Sequence, residues 1–217
     1  MLFIDCCGDD TLSVAVSGPA ERRALANALR ESGTWLECVE GRRSIVVQFD
    51  AGRMSFKKAR KRLRKQFRTA VRKPEAAVPQ LEIPLCYGGD FGPEFTSICE
   101  MLGLSADEFI AIHTGEEHTV DMLGFVPGFA YIDGPTSRLS VPRLAEPRQR
   151  VAAGSVGIAD GQTGLYALAG PGGWPLIGRT PLPLFRADKP KPFLLQAGTR
   201  VRFVAIDEQA FHRLQPA

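Results

Sequence analysis

Residues 122–180 contain so much glycine and proline that this part of the sequence excludes long helices. Eleven glycines and six prolines fall in the segment, and Pro181 follows it directly. Proline fixes φ and lacks an N–H donor, while glycine permits sharply bent backbone, so both residues favour tight turns over helix. We therefore expect short strands joined by frequent turns, as in a barrel built mainly of β-strands.

The charged and aromatic side chains of the same segment are typical of a binding pocket. Its basic residues are all arginines, namely Arg138, Arg143, Arg148, Arg150 and Arg179. A guanidinium group binds a carboxylate through two parallel hydrogen bonds, which an ammonium group does not. Aromatic residues recur between the arginines, namely Phe125, Phe129, Tyr131, Tyr166 and Trp174. Two interpretations stay open: a pocket wall for a small oxyanion, or a loop-rich barrel whose aromatic residues only fill the core.

Residues 1–73 predict a small α+β domain. Alternating apolar residues mark four strands, and helical spacing of apolar residues marks two helices. In chain order these are strands 2–7 and 12–17, helix 21–32, strands 35–40 and 44–50, and helix 55–68. Strands interleaved with two helices favour a two-layer sandwich that is ferredoxin-like in outline. Residues 74–79 begin and end with proline and predict a linker.

Residues 80–217 predict a second domain that is mainly β. A strand over 81–86 is followed by two short helices, over 92–102 and 105–113. Ser105 and Glu108 have the spacing of a capping box, in which each side chain bonds the other residue's backbone N–H. Beyond Thr114 we expect only strands and turns to the end of the chain.

The net charge of +3 conceals one strongly basic segment. Residues 57–73 hold ten of the 27 lysines and arginines and no acid, so the remaining 17 bases face 24 acids, a charge of −7. Phe56, Ala59, Leu63 and Phe67 form an apolar stripe beneath these cations. We interpret the segment as a helix packed on a sheet with a solvated charged face. Because that face carries no aromatic residue for base stacking, we expect neither nucleic acid nor membrane as a partner.

Motifs for independent catalysis are missing from the sequence. The glycines of Gly170–Trp174 lack the lysine of a phosphate-binding loop, and no lysine is flanked by methionine as in a biotinylated domain. His113 and His118 are five residues apart, which is not the spacing of a helical zinc site. Ser155 in AGSVG does not match the GxSxG pattern of a nucleophile elbow, because its preceding glycine is misplaced and no helix is expected to follow. We expect no metal and no tightly held cofactor on this chain.

The composition favours a reduced, cytoplasmic location. No stretch approaches the roughly 20 apolar residues of a membrane span. The first ten residues carry three acids and no base, unlike a secretory signal. The five cysteines are odd in number and include no CxxC pair, which favours free thiols.

Several ordered motifs resemble one bacterial family. These are GFVPGFAY (124–131), VPRLAEPRQRVAAGSVGIA (141–159), GQTGLY (161–166) and PGGWPLIGRTPLPLF (171–185), with further similarity at 8–16, 83–92 and 196–206. The family contains the B subunit of 5-oxoprolinase, the sporulation kinase inhibitor KipI and allophanate hydrolase subunit 1. The resemblance implies a cyclophilin-like β-barrel for the second domain.

The resemblance also implies function and partners. It implies a subunit of an ATP-dependent complex that opens 5-oxo-L-proline to L-glutamate. The partners would be a homologous second subunit, of the allophanate hydrolase subunit 2 type, and a LamB/YcsF-like protein. ATP would be used by the complex, and the chain alone would be inactive. Two alternatives stay open: a subunit of a biotin-dependent carboxyltransferase acting on urea or a related amide, and a KipI-like inhibitor of a histidine kinase.

The family motifs further imply a set of substrate-binding residues. Arg148 and Arg179 would supply guanidinium groups, Gln162 an amide, Tyr166 a phenol, and Phe125 and Phe129 an apolar floor. Such a set suits a small planar amide that carries a carboxylate. The sequence departs from the family pattern at Asp121, Ala130 and Ala167, the two alanines standing where prolines are common. Those departures leave the substrate class and the catalytic residues open.

Overall fold

A computed structural model describes residues 3–69, 80–133 and 136–215 of the chain. Internal contacts divide it into two compact units, Met1–Ala77 and Val78–Ala217. Separate clusters of buried apolar side chains lie within each unit. The predicted linker, 74–79, lies outside the described residues, so the domain bounds 1–73 and 80–217 remain a proposal.

Within residues 3–69 the first unit has four strands and two helices. They are β1 (Ile4–Cys6), β2 (Thr11–Ala15), α1 (Pro19–Glu31), β3 (Glu37–Glu40), β4 (Ser44–Gln48) and α2 (Phe56–Thr69). The strands form one antiparallel sheet in the order β1-β2-β4-β3. The observed order of elements is ββαββα, and that of a ferredoxin-like unit is βαββαβ. The order alone therefore does not confirm the ferredoxin-like outline, which stays a prediction.

Alternation of buried and less buried side chains along its two central strands gives this sheet one buried face. Leu12 and Val14 on β2, like Ile45 and Val47 on β4, are at most 1% exposed. Since strand side chains alternate between faces, these residues all point to the same side and meet the apolar sides of both helices. Burying each such side chain contributes roughly 1.5–3 kcal/mol relative to leaving it exposed.

Helix α2 confirms the predicted separation of its apolar stripe from its charges. Ala59 and Leu63 are fully buried, and Phe56 and Phe67 pack against the same core. The helix carries eight lysines and arginines and no acid. None of the eight has an ion-pair partner among the described residues. Within residues 3–69, the charged face therefore contributes no salt bridge.

The second unit is a closed barrel with added helices and one two-stranded sheet. Its described elements are β5 (Gln80–Tyr87), α3 (Phe95–Leu102), α4 (Ala106–Thr114), β6 (His118–Leu123), β7 (Ala130–Asp133), β8 (Arg148–Val151), β9 (Ser155–Ala159), β10 (Gln162–Leu165), β11 (Gly170–Gly172), β12 (Leu176–Arg179), β13 (Arg200–Ile206) and α5 (Glu208–Leu214). Short 3₁₀ turns cover Gly89–Phe91 and Thr136–Leu139.

Seven strands close the barrel in the order β10-β7-β6-β13-β5-β12-β9, and β8 pairs with β11 outside it. Strands β5 and β13 run parallel, in register from Gln80 with Arg200 to Cys86 with Ile206, and the other pairs are antiparallel. The barrel thus joins the start of the second unit to its end. A closed barrel is observed, while its assignment to the cyclophilin-like fold stays a prediction.

Two features of this unit test the sequence predictions directly. The capping box at the start of α4 is confirmed, because the Ser105 hydroxyl accepts from Glu108 N and the Glu108 carboxylate accepts from Ser105 N. The expectation of only strands and turns beyond Thr114 was wrong. Helix α5 forms because Asp207 caps it, accepting from Ala210 N at 2.7 Å, and the Phe211 ring centre lies 4.4 Å from that of Phe91.

The described residues contain neither a membrane-spanning helix nor a metal cluster. No helix there combines the length and apolar character required to cross a membrane. No group of three or more histidine, cysteine or acidic side chains there is arranged to hold a metal ion.

Candidate functional site

An aromatic cavity of about 360 Å³ lies in the second unit, lined by loop residues and by residues of β7 and β11. Its lining combines aromatic rings, prolines and one cation: Phe125, Phe129, Tyr131, Arg143, Leu144, Pro147, Tyr166, Pro171, Gly172, Gly173 and Trp174. The volume falls in the range of small-molecule sites, and the few polar groups among apolar walls match their usual composition. We call this feature the aromatic cavity.

Glycines make room for the rings of the cavity. A Cβ atom on Gly164 would lie 2.7 Å from both the Phe129 and Trp174 rings. On Gly172 it would lie 2.3 Å from the Tyr166 hydroxyl. Real Cβ contacts are not this short, so neither position accepts a side chain without displacing a ring. Gly164 of GQTGLY and Gly172 of PGGW are therefore needed for the close packing of these rings.

The aromatic rings pack edge to face around Phe129. Its centroid lies 4.8 Å from Tyr131, 4.8 Å from Tyr166 and 5.7 Å from Trp174, with interplanar angles of 74–79°. This is the geometry that the quadrupoles of aromatic rings prefer. Phe129 is 1% exposed, so it forms the rigid base of the cavity.

Phe125 stands at the mouth of the cavity in an uncommon backbone conformation. Its φ of 68° lies in the left-handed region, and its side chain is 64% exposed. Hydrogen bonds from Val126 N to Gly124 O and from Gly124 N to Phe129 O close the surrounding turn. A bulky residue in this region costs of order 1–3 kcal/mol and is found most often at ligand sites.

Tyr166 is buried and stays protonated. Burial raises the pKa of its phenol, opposed by a hydrogen bond from the Trp174 backbone and by the charges of Arg148 and Arg143. At neutral pH the group is therefore a neutral phenol that can donate and accept a hydrogen bond. Since its hydroxyl lies against Gly172, it borders the cavity at the β11 side.

Arg148 lies outside the cavity lining and is bonded within the protein. Its Nη2 donates to Glu94 Oε1, and Glu94 Oε2 accepts from Leu176 N at 2.8 Å. One carboxylate thus joins strand β8, the start of α3 and strand β12. Nη1 of Arg148 is buried and has no hydrogen-bond partner among the described residues. These contacts are those of a group that fastens three elements together.

Gln162 and Arg179 also lie outside the lining and bond to the protein. The Gln162 amide donates to Asp133 Oδ1 at 2.6 Å, across the β10–β7 pair. Arg179 Nε donates to Ala153 O at 2.9 Å, and its guanidinium lies 6.0 Å from the centre of the Phe211 ring. Both side chains therefore make contacts within the protein at the ends of strands.

The structure therefore brings three of the six predicted site residues into one cavity. Phe125, Phe129 and Tyr166 line it together, and the roles of Arg148, Gln162 and Arg179 in substrate binding stay predictions. Arg143 and Trp174 line the cavity although the predicted set omitted them. Both belong to the segment whose only basic residues are arginines and which is rich in aromatic residues. Membership of that segment does not say which arginine faces the rings.

A second polar cluster is buried in the second unit. Both nitrogens of the fully buried His113 are engaged, Nδ1 lying 2.7 Å from the Tyr87 hydroxyl and Nε2 3.1 Å from Thr163 Oγ1. His118 Nε2 donates to His113 O at 2.8 Å, and the His113 ring stacks 4.5 Å from Phe203. We call this group the buried histidine cluster. Burial lowers the pKa of His113 well below 6.5 and lowers that of His118.

Comparison with known proteins identifies relatives of this chain. A family model described as the carboxyltransferase domain, subdomain C and D, matches residues 3–195. The chain is 51% identical to the B subunit of 5-oxoprolinase from Bacillus subtilis over 132 residues, which are 61% of this chain and 55% of that protein. It is 36% identical to the Haemophilus influenzae protein of the same name over 181 residues, 83% of this chain and 84% of that one. The matched region thus spans little more than half of the Bacillus relative.

Solved structures show the same fold. A conserved uncharacterized protein of Pyrococcus horikoshii is 37% identical, and the two structures align with a TM-score of 0.59. The alignment covers 96% of this chain and all of that one. The urea carboxylase of Kluyveromyces lactis is 18% identical and aligns with a TM-score of 0.79. That alignment covers 98% of this chain and 22% of the urea carboxylase. The second likeness extends to the fold alone.

Proposed function

The chain belongs to the family of carboxyltransferase domains, subdomain C and D, and from this premise we propose that it is a subunit of an ATP-dependent 5-oxoprolinase. The observation that carries the proposal is the 36–51% identity to proteins named as the B subunit of 5-oxoprolinase in separate bacteria. The reaction would open the lactam ring of 5-oxo-L-proline to give L-glutamate.

The aromatic cavity supports a substrate-binding role for this chain. Its walls of rings and prolines suit a small flat ring, and the Tyr131 and Tyr166 phenols supply hydrogen-bonding groups for an amide. Glycine close to Phe129 and Trp174 keeps the floor tightly packed. Such a site holds a ring in one orientation, which lowers the entropic part of the barrier to attack on it.

We assign the binding step to this chain and the use of ATP to the assembled complex. The relatives are named as subunits of an enzyme, which supports the proposal that this chain acts together with further subunits. The partners we propose are a homologous second subunit and a LamB/YcsF-like subunit. Arg148, Gln162 and Arg179 remain candidates for substrate contacts, although their present hydrogen bonds favour a supporting role for all three.

Reconstitution tests the proposal. The chain is purified alone and together with subunits encoded beside it, and each sample receives ATP and 5-oxo-L-proline. We expect glutamate and ADP only from the assembled complex, with no turnover by the isolated chain. Urea replaces 5-oxo-L-proline as the control substrate. An assembled complex that consumes urea and leaves 5-oxo-L-proline unchanged would contradict the proposal and favour a carboxyltransferase of the urea type.

A further inference from the structure

We infer that Arg143 binds the carboxylate of the substrate and sets the specificity of the aromatic cavity for cyclic amides that carry one. The inference rests on the proposed function for the identity of the substrate. Its own grounds are the position of Arg143, the state of its guanidinium group and the contrast with the neighbouring arginines.

The backbone around Arg143 is fastened on both sides. Asp160 N donates to Val141 O at 3.0 Å, and Leu144 N donates to Gly173 O at 2.8 Å. These bonds tie residues 141–144 to the β9–β10 turn and to the end of β11. Arg143 is thereby held at the cavity wall although it belongs to a loop, which reduces the entropy lost when it binds a ligand.

The guanidinium of Arg143 faces the rings and keeps donors free. Its Cζ lies 5.7 Å from the centre of the Trp174 ring, and its Nε lies 3.3 Å from Asp160 Oδ2. Neither Nη group has a hydrogen bond among the described residues. The ion pair is exposed, 58% on the Arg143 side and 51% on the Asp160 side, so it is weak and easily exchanged. Two parallel donors thus stay available to a carboxylate.

The other arginines near this site are less suited to the task. Arg148 is bonded to Glu94, and Arg179 is bonded to Ala153 O. Arg150 is exposed on β8 and does not line the cavity. Arg143 alone, among the described arginines, combines a place in the lining with free Nη groups.

Binding to the isolated full chain tests the inference. The chain has two tryptophans, so a Trp35→Phe background leaves Trp174 as the fluorescence reporter of the cavity. Three ligands are titrated, with calorimetry as a second readout: 5-oxo-L-proline, 2-pyrrolidinone, which has the lactam without the carboxylate, and L-proline, which has the carboxylate without the lactam. The variants are Arg143→Gln, Arg143→Lys and the matched exposed control Arg150→Gln.

We expect Arg143→Gln to weaken the binding of 5-oxo-L-proline roughly tenfold to a hundredfold. The binding of 2-pyrrolidinone, which is weaker in the parent, should stay unchanged. Arg143→Lys should restore part of the affinity, because it keeps the charge and loses the planar pair of donors. Arg150→Gln should bind as the parent does. A merely structural role would reduce the affinity for both lactams equally, and that result would overturn the inference.

Two further outcomes separate this inference from the proposed function. Unchanged KM for 5-oxo-L-proline in an active complex that carries Arg143→Gln would overturn the inference and leave the function standing. A complex without oxoprolinase activity, whose chain still prefers carboxylate-bearing lactams through Arg143, would overturn only the function. Failure of the parent chain to bind any of the three ligands at high millimolar concentration would also overturn the inference.

Discussion

The buried histidine cluster and the aromatic cavity belong to one unit and use similar side chains, yet they leave their polar groups in opposite states. In the cluster both nitrogens of His113 have partners, and the ring is fully buried. In the cavity the Nη groups of Arg143 have no partner among the described residues, and its side chain is 58% exposed.

The difference shows which polar groups this fold uses for stability and which it leaves for binding. A buried group that meets its partners inside the protein stabilises one packing arrangement, because removing any member leaves the others desolvated. A group at a cavity wall with free donors contributes little to folding and can form its hydrogen bonds with a ligand. Mutations in the two regions should therefore affect different quantities.

Replacing His113 with alanine should produce the largest loss of stability. The change creates a void beside Phe203 and leaves the Tyr87 and Thr163 hydroxyls unpaired in the core, so we expect a cost of about 3–5 kcal/mol. Urea unfolding measures it. His212→Ala, on the exposed face of α5, is the control and should stay within about 0.5 kcal/mol of the parent. Similar stability of the two variants would show that the cluster is not a stabilising unit.

The same cluster should make stability depend on pH. Burial lowers the pKa of His113 and of His118 below the 6.5 of the unfolded chain, so the unfolded state binds more protons and stability falls as pH falls through 6.5. His113, which stays neutral in the folded state over this range, should by itself lower the free energy of unfolding by about 1 kcal/mol between pH 6.5 and 5.5, and the lowered pKa of His118 should add to that drop. Unfolding curves at fixed ionic strength measure it.

A matched variant sharpens this pH prediction. His118→Gln removes one titrating group and should make the drop smaller, leaving the part that comes from His113. The window lies above the usual carboxyl range, so acidic residues add little to it. Stability that is flat between pH 6.5 and 5.5, or that rises as pH falls, would contradict the lowered pKa of these two histidines.

Arg148→Met should cause a smaller loss of stability than His113→Ala. Its effect on ligand binding shows whether Arg148 supports the fold or contacts the substrate. The variant leaves Glu94 with Leu176 N as its remaining partner, which should cost about 1–2 kcal/mol for a partly exposed pair. Arg150→Met on the same strand is the control. We expect a lower Tm for Arg148→Met with unchanged affinity for 5-oxo-L-proline. Weaker binding at an unchanged Tm would instead establish Arg148 as a direct ligand, as its family motif suggests.

Much of the local structure could be predicted because it depends on neighbours in the sequence. The capping box of Ser105 and Glu108 spans three residues, and the stripe of Ala59 and Leu63 spans one helical turn. Alternation on β2 and β4 likewise follows from the period of a strand. Helix α5 escaped prediction because one turn-rich pattern was extended to the end of the chain, past the cap at Asp207.

By itself, the sequence determined the family, the turn-rich strands of the second unit, and the presence of a segment rich in arginine and aromatic residues. Only the tertiary structure decided which of those residues face one cavity. Glu94 meets Arg148 across 54 positions, while Phe129, Arg143 and Trp174 converge from three separate loops. The physical reason is that a guanidinium bonds whichever carboxylate or carbonyl the closed barrel places beside it, and sequence spacing carries no information about that distance.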